Sequence, residues 1–187
     1  AIFRGTEENI KRAAEHLKNN NLVAFATETV YGLGANALSS SACEKIFQAK
    51  KRPKYDPLIV HIAEMYQLSE LVKEVPEVAL DLAEAFWPGP LTIVFKKTAL
   101  IPDLVSSGMD TVAIRMPAHP LALGLLSEAQ IPVAAPSANP FGYLSPTSAE
   151  HVHAQLGEEV DIVLDGGECD WGIESTIVDC TSGQAIL

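Results

Sequence analysis

Residues 27–62 read TETVYGLGANALSSSACEKIFQAKKRPKYDPLIVHI. The segment joins a short apolar run, Leu22–Phe25, to a second one, PLIVHI, which Pro57 opens. Both runs have the length and apolar character of buried strands. Between them Gly32 and Gly34 mark a turn, Ser41-Ala-Cys-Glu44 matches a capping box, and Ile46, Phe47 and Ala49 give a brief helix face. Lys50-Lys51-Arg52-Pro53-Lys54 follows as a loop, the densest basic run of the chain.

Outward from this unit the same alternation continues. Thr6 caps a helix over Glu7–Lys18, with Ile10, Ala13, Ala14 and Leu17 on one face. Residues 65–75 and EVALDLAEAF, with Pro76 in its first turn, predict two more helices, stopped by Trp87-Pro-Gly-Pro90. Leu91–Phe95, Thr111–Met116, Ile131–Ala135, Ile162–Leu164 and Ser175–Asp179 predict strands, and Pro102–Asp110 a loop. Pro117 and Pro120 open a helix through Leu126, and Thr147 with Glu150 caps another to Leu156. Strands and helices interleave without strict repetition, so the expected fold is an α/β (or α+β) single domain around a twisted mixed sheet.

The chain has 187 residues, 48% of them hydrophobic, enough for one packed core and too apolar for disorder. No apolar run reaches the roughly 20 residues of a membrane span, and no signal peptide is visible. Cys43, Cys169 and Cys180 show no C-x-x-C spacing and read as reduced, packed thiols, which points to the cytoplasm. The net charge of −11 opposes general adhesion to nucleic acid or anionic lipid.

Polar residues recur at the ends of the apolar strands: Thr27 and Thr29, His61, Arg115, Ser137 and Asn139, then Ser175 and Thr176. Ligands of α/β sheets bind where strand ends meet loops, so these positions predict one shared pocket. Each has a plainer reading. The threonines form turns, the lysines make a solvated loop, His61 is a satisfied core residue, and Ser137 and Asn139 cap a turn. The acidic residues of DGGECDWGIE read as a plain turn sooner than as metal ligands, and His119, His151 and His153 have no partner pattern. Arg115 is harder to dismiss, because a guanidinium between Val112-Ala-Ile and Met-Pro needs a buried anion or a ligand. There is no P-loop and no G-x-G-x-x-G. A phosphate site would therefore use side chains, with Lys50 and Arg52 as its cations, and a nucleoside triphosphate is the expected anion.

TETVYGLGAN, KKRP, PLIVHI, WPGPLT, TVAIRMPAHP, APSAN, SPT and GIESTIVD occur in that order. Together they resemble the YrdC/Sua5 family of threonylcarbamoyl-AMP synthases, over nearly the whole chain from Leu22 to Asp179. The resemblance implies a deep, locally positive groove. It also implies a reaction: L-threonine, bicarbonate and ATP, the last with Mg2+, become threonylcarbamoyl-AMP and pyrophosphate. The product feeds a tRNA threonylcarbamoyltransferase complex. On this basis Lys50 and Arg52 hold the triphosphate and act catalytically. Asp56, Thr111, Ser137, Asn139 and Ser145 lie on the nucleotide side. Arg115 pairs with the threonine carboxylate, and Thr29, His61, Ser175 and the Ala135 backbone complete the amino-acid pocket. Thr27 and Tyr31 are secondary candidates. Ala26 stands where the family usually has proline. Longer members continue past the apolar end with an Arg-Pro-Gly segment and a second small domain, so a short member and a trimmed long one both remain open. The competing classes are an RNA-binding module that uses the basic loop, and a carbamoyl-transfer enzyme related to hydrogenase maturation proteins.

Overall fold

In the computed structural model, which describes residues 1–187, nine strands form one mixed sheet. In chain order the strands are β1 (Ile2–Arg4), β2 (Val23–Ala26), β3 (Tyr31–Asn36), β4 (Ile59–His61), β5 (Leu91–Lys96), β6 (Thr111–Arg115), β7 (Val133–Ala134), β8 (Ile162–Asp165) and β9 (Thr176–Asp179). Across the sheet they run β1-β8-β2-β3-β7-β4-β6-β5-β9. The helices are α1 (Glu7–Lys18), α2 (Ser40–Lys50), α3 (Met65–Leu71), α4 (Glu77–Phe86), α5 (Asp103–Ser106), α6 (Pro120–Ala129) and α7 (Ala149–Leu156). A continuous apolar cluster from Ala13 to Cys180 fills the space between sheet and helices. No helix is long and apolar enough to cross a membrane.

Helix α1 forms as its periodicity dictates: the Thr6 hydroxyl accepts the Asn9 N–H, and Ala13, Ala14 and Leu17 are buried. Other elements differ from the sequence reading for local reasons. Gly32 and Gly34 do not make a turn; both lie within β3, and the reversal is made by Thr27–Val30. These glycines serve close packing. A Cβ on Gly34 would come within 2.8 Å of Phe25 and 2.9 Å of Val133. Gly34→Ala is therefore expected to cost about 1–3 kcal/mol by overpacking, read as a fall in urea midpoint without a change in m. The cap of α2 is Ser39, whose hydroxyl accepts the Ala42 N–H, and that of α7 is Ser148, not Thr147. Helix α3 stops at Leu71, and the Pro102–Asp110 loop contains the short α5. Strand β1 pairs with the distant β8, Ile2↔Val163 to Arg4↔Asp165, and has no local sequence signature.

The register on one side of the sheet prepares a site. His61 pairs with Arg115, Ile59 with Ala113, Val94 with Ala113, Thr92 with Arg115, and Ile177 with Thr92. Paired residues project to the same face and alternate along each strand. His61, Arg115, Ala113, Val94 and Ile177 thus share one face of the adjoining strands β4, β6, β5 and β9.

Candidate active site

That face is the floor of a cavity of about 350 Å³, within the size range of small-ligand sites. Its walls are Thr29–Val30 from the β2–β3 turn, Arg52 and Asp56–Leu58 from the segment after α2, Ala135–Ser137 after β7, and Glu174–Ser175 before β9. Arg52 and Arg115, expected at the two ends of a common site, line one cavity. Thr29, Asp56, His61, Ala135, Ser137 and Ser175 line it with them. Lys50, Thr111, Asn139 and Ser145 do not.

Arg115 is buried, and three side-chain donors are engaged: Nε to the Gly89 carbonyl at 3.2 Å, Nη1 to the Thr29 hydroxyl at 3.1 Å, and Nη2 to Glu28. Two of the five guanidinium N–H groups thus have no protein acceptor. Glu28 supplies the anion that Arg115 required, and its other oxygen accepts the Ala118 N–H at 2.8 Å. The turn that carries Thr29 is fixed from within. Thr27 Oγ1 donates to the Val30 carbonyl at 2.6 Å and accepts the Thr29 and Val30 N–H groups. With that proton committed, the Thr29 hydroxyl donates to Thr27 at 2.9 Å and accepts from Arg115. Thr27 is therefore a turn lock, and Tyr31 an anchor: its hydroxyl donates to Gly167 O at 2.7 Å and accepts the Gly166 N–H. This ties down the loop that bears Glu174 and Ser175.

His61 Nδ1 lies 3.2 Å from the Ile59 carbonyl. Burial, with the neighbouring Arg115 charge, pushes its pKa down to about 3, so the ring is neutral at physiological pH. Ser175 shares a 2.7 Å hydroxyl–hydroxyl bond with the buried Thr92.

At the other end Arg52 is held by its own loop. Nε donates to Asp56 O, and Nη2 donates to Pro57 O at 2.8 Å and pairs with the Asp56 carboxylate at 3.1 Å. Both Nη1 donors remain without a protein acceptor. The Asp56 carboxylate thus positions Arg52. Glu174 also lines the cavity and accepts from Ser145 at 3.3 Å. The lining therefore carries two guanidiniums and two carboxylates.

Lys50 belongs to the last turn of α2 and is 1% exposed, so it is not part of a solvated loop. Its ammonium donates to the carbonyls of Ser137 and Asn139, fastening the wall that presents Ser137. Asn139 closes that loop by donating from Nδ2 to Pro140 O and Tyr143 O, both at 2.9 Å, while its buried Oδ1 has no partner. Thr111 lies on the cavity face of β6, two residues beyond Ala113.

Burial, then repulsion by Arg52, lowers the Lys50 pKa to about 7, against a partial counter-effect from Glu174 and Asp56. Between pH 7 and the unfolded value near 10.5, the unfolded chain holds a proton that the native chain lacks. Stability contributed here therefore rises with pH across that window and is lowest below it. A thermal-melt series from pH 6.5 to 9.5 should show wild type gaining on Lys50→Met as pH rises; parallel curves would contradict the assignment.

Burial pushes the Cys43 and Cys169 thiols up to about 12 and about 11, and all three cysteines are unpaired. No group of three or more His, Cys, Asp or Glu side chains is arranged to hold a metal.

Comparison with known proteins adds ancestry to this geometry. The Sua5/YciO/YrdC family model, described as telomere recombination, matches residues 15–187. The threonylcarbamoyl-AMP synthase of Pyrococcus abyssi is 51% identical over 97% of this chain and 53% of its own length. That of Bacillus subtilis is 50% identical, again over 97% and 53%. The chain thus spans about half the length of these curated relatives. The crystal structure of P. abyssi Sua5 complexed with L-threonine superposes with a TM-score of 0.94 at 50% identity, over 96% of this chain and 54% of that one. A match over most of the sequence, joined to a nearly superposable fold, means that this chain belongs to the Sua5/YciO/YrdC family.

Proposed function

We propose that this chain is the catalytic domain of an L-threonylcarbamoyladenylate synthase, converting L-threonine, bicarbonate and ATP to threonylcarbamoyl-AMP and pyrophosphate. The observation that carries the reading is the pair of arginines in one cavity, each with two donors that no protein group uses. Two guanidinium forks with spare donors suit two oxyanions, a carboxylate and a phosphate chain. The relatives' names and the threonine complex of P. abyssi Sua5 support the substrate assignment.

In this reading Arg115, Thr29, His61, Ser175 and the Ala135 backbone hold threonine. Neutral His61 orients the amino acid without taking its proton. Arg52 steadies the triphosphate while the carbamate oxygen attacks the α-phosphorus and pyrophosphate leaves. Lys50 works from behind, through the Ser137–Asn139 backbone. Asn139, with its unpaired buried oxygen, Thr111 and Ser145 complete the nucleotide side. Magnesium binds phosphate oxygens and water with one or two carboxylates. Asp56 and Glu174 line the cavity and fit an ion that arrives with ATP and neutralises its charge. The product would pass, in the cytoplasm, to the complex that transfers threonylcarbamoyl to tRNA. The net charge of −11 gives no support to direct tRNA binding.

Pyrophosphate release from ATP is the decisive measurement. It is expected only when threonine and bicarbonate are both present. Release independent of threonine, or salt-sensitive RNA binding with no turnover, would overturn the proposal.

A further inference from the structure

Glu28 has no part in the reaction as described, yet both of its carboxylate oxygens are engaged. It does not line the cavity; one oxygen is bound by Arg115 and the other by the Ala118 N–H. Its side chain is 12% exposed and that of Arg115 is 5% exposed, so the pair interacts with little screening by water. The turn carrying Glu28 is locked by Thr27. The guanidinium is therefore fixed at three points, the Gly89 carbonyl, Thr29 and Glu28, with its charge cancelled from behind. His61, beside Arg115 on the floor, adds no charge. This end of the cavity is thus both rigid and close to neutral.

We propose that Glu28 is a positioning residue that sets the charge selectivity of the Arg115 end of the cavity, so that it takes a net-neutral zwitterionic amino acid in preference to a simple carboxylate anion. The inference rests on the assignment of threonine to this cavity. An arginine without a counter-ion would attract any carboxylate. An arginine already paired with Glu28 offers hydrogen-bond donors but little net field, so a ligand carrying its own ammonium is not penalised.

The test compares calorimetric binding of L-threonine with that of (R)-3-hydroxybutyrate, which keeps the carboxylate and hydroxyl but lacks the amine. Wild type is expected to favour threonine at least about tenfold, because the simple carboxylate brings an uncompensated net charge into a neutral, poorly hydrated end of the cavity. Glu28→Gln keeps the shape, removes the charge, and turns an amide NH2 toward donors. It should reduce that preference about tenfold or more, whereas Glu28→Asp, which keeps the charge, should largely retain it. A purely structural lesion would weaken both ligands alike and leave the ratio intact, which overturns the proposal, as does a Glu28→Gln protein with the wild-type ratio. If Glu28→Gln does not fold, equal binding of the two ligands by wild type overturns it instead. Failure of wild type to bind threonine at all overturns the functional assignment itself.

Discussion

Replacing Arg115 with alanine is expected to abolish threonine binding and to destabilise the protein together. The binding loss follows from the two unused N–H donors of a fixed guanidinium. Two charge-assisted hydrogen bonds at about 1.5–3 kcal/mol each correspond to at least a hundredfold in affinity. The stability loss has a different origin. Arg115→Ala leaves Glu28 as an unpaired carboxylate in a buried position, at a cost of roughly 3–5 kcal/mol. At this chain length that is a fall in Tm of the order of 10 °C. The two effects separate in the double variant. Glu28→Gln on the Arg115→Ala background removes the stranded charge and should recover much of the Tm while threonine binding stays lost. Arg115→Lys should rescue neither fully, since a point charge cannot reach the Gly89 carbonyl, Thr29, Glu28 and a ligand carboxylate at once. Calorimetry with threonine and thermal melts on the four proteins decide the matter. An Arg115→Ala protein that binds threonine normally, or melts as wild type does, would contradict it.

The need for this ion pair was readable from Arg115, but its partner was not. A guanidinium between Ala113-Ile114 and Met116-Pro117 demands an anion wherever it comes from. Glu28 is 87 residues earlier, in a turn that local chemistry explains by its threonines alone. Long-range pairs leave no periodicity, and Glu174 escaped for the same reason. Strand ends were legible as the place where polar residues gather, because hydrophobic runs and their boundaries are local. Sheet order was not, because β1 meets β8 and β5 meets β9 only through tertiary pairing. Lys50 shows the limit of reading charge as exposure. Its neighbours Lys51 and Lys54 are exposed, as a basic run suggests, but helix α2 continues one turn too far for Lys50 to join them. The helix periodicity that begins at Ile46 and Phe47 places Lys50, four residues on from Ile46, on the buried side.

Arg52→Ala is expected to do the reverse of Arg115→Ala: chemistry collapses while the fold and threonine binding survive. Arg52 is anchored by the backbone of Asp56 and Pro57 and by the Asp56 carboxylate, all from its own loop, so no distant element depends on it. The Asp56 side chain is 38% exposed, and losing its partner returns it to water at little cost. Stability should therefore change by less than about 1 kcal/mol. The Nη1 donors are a different matter. They are preorganised by the three contacts at Nε and Nη2 and face no protein acceptor, which is the arrangement that stabilises charge developing on a leaving phosphate. Removal of a donor of this kind costs about 10²–10³ in kcat. Lysine at this position should restore little, because its ammonium cannot reproduce the loop-held fork. Pyrophosphate release should drop by that factor with threonine affinity within about twofold of wild type, the scale of a small change in binding free energy. Near-normal turnover by Arg52→Ala would remove this segment from the chemistry and leave only the Arg115 end of the cavity with a role.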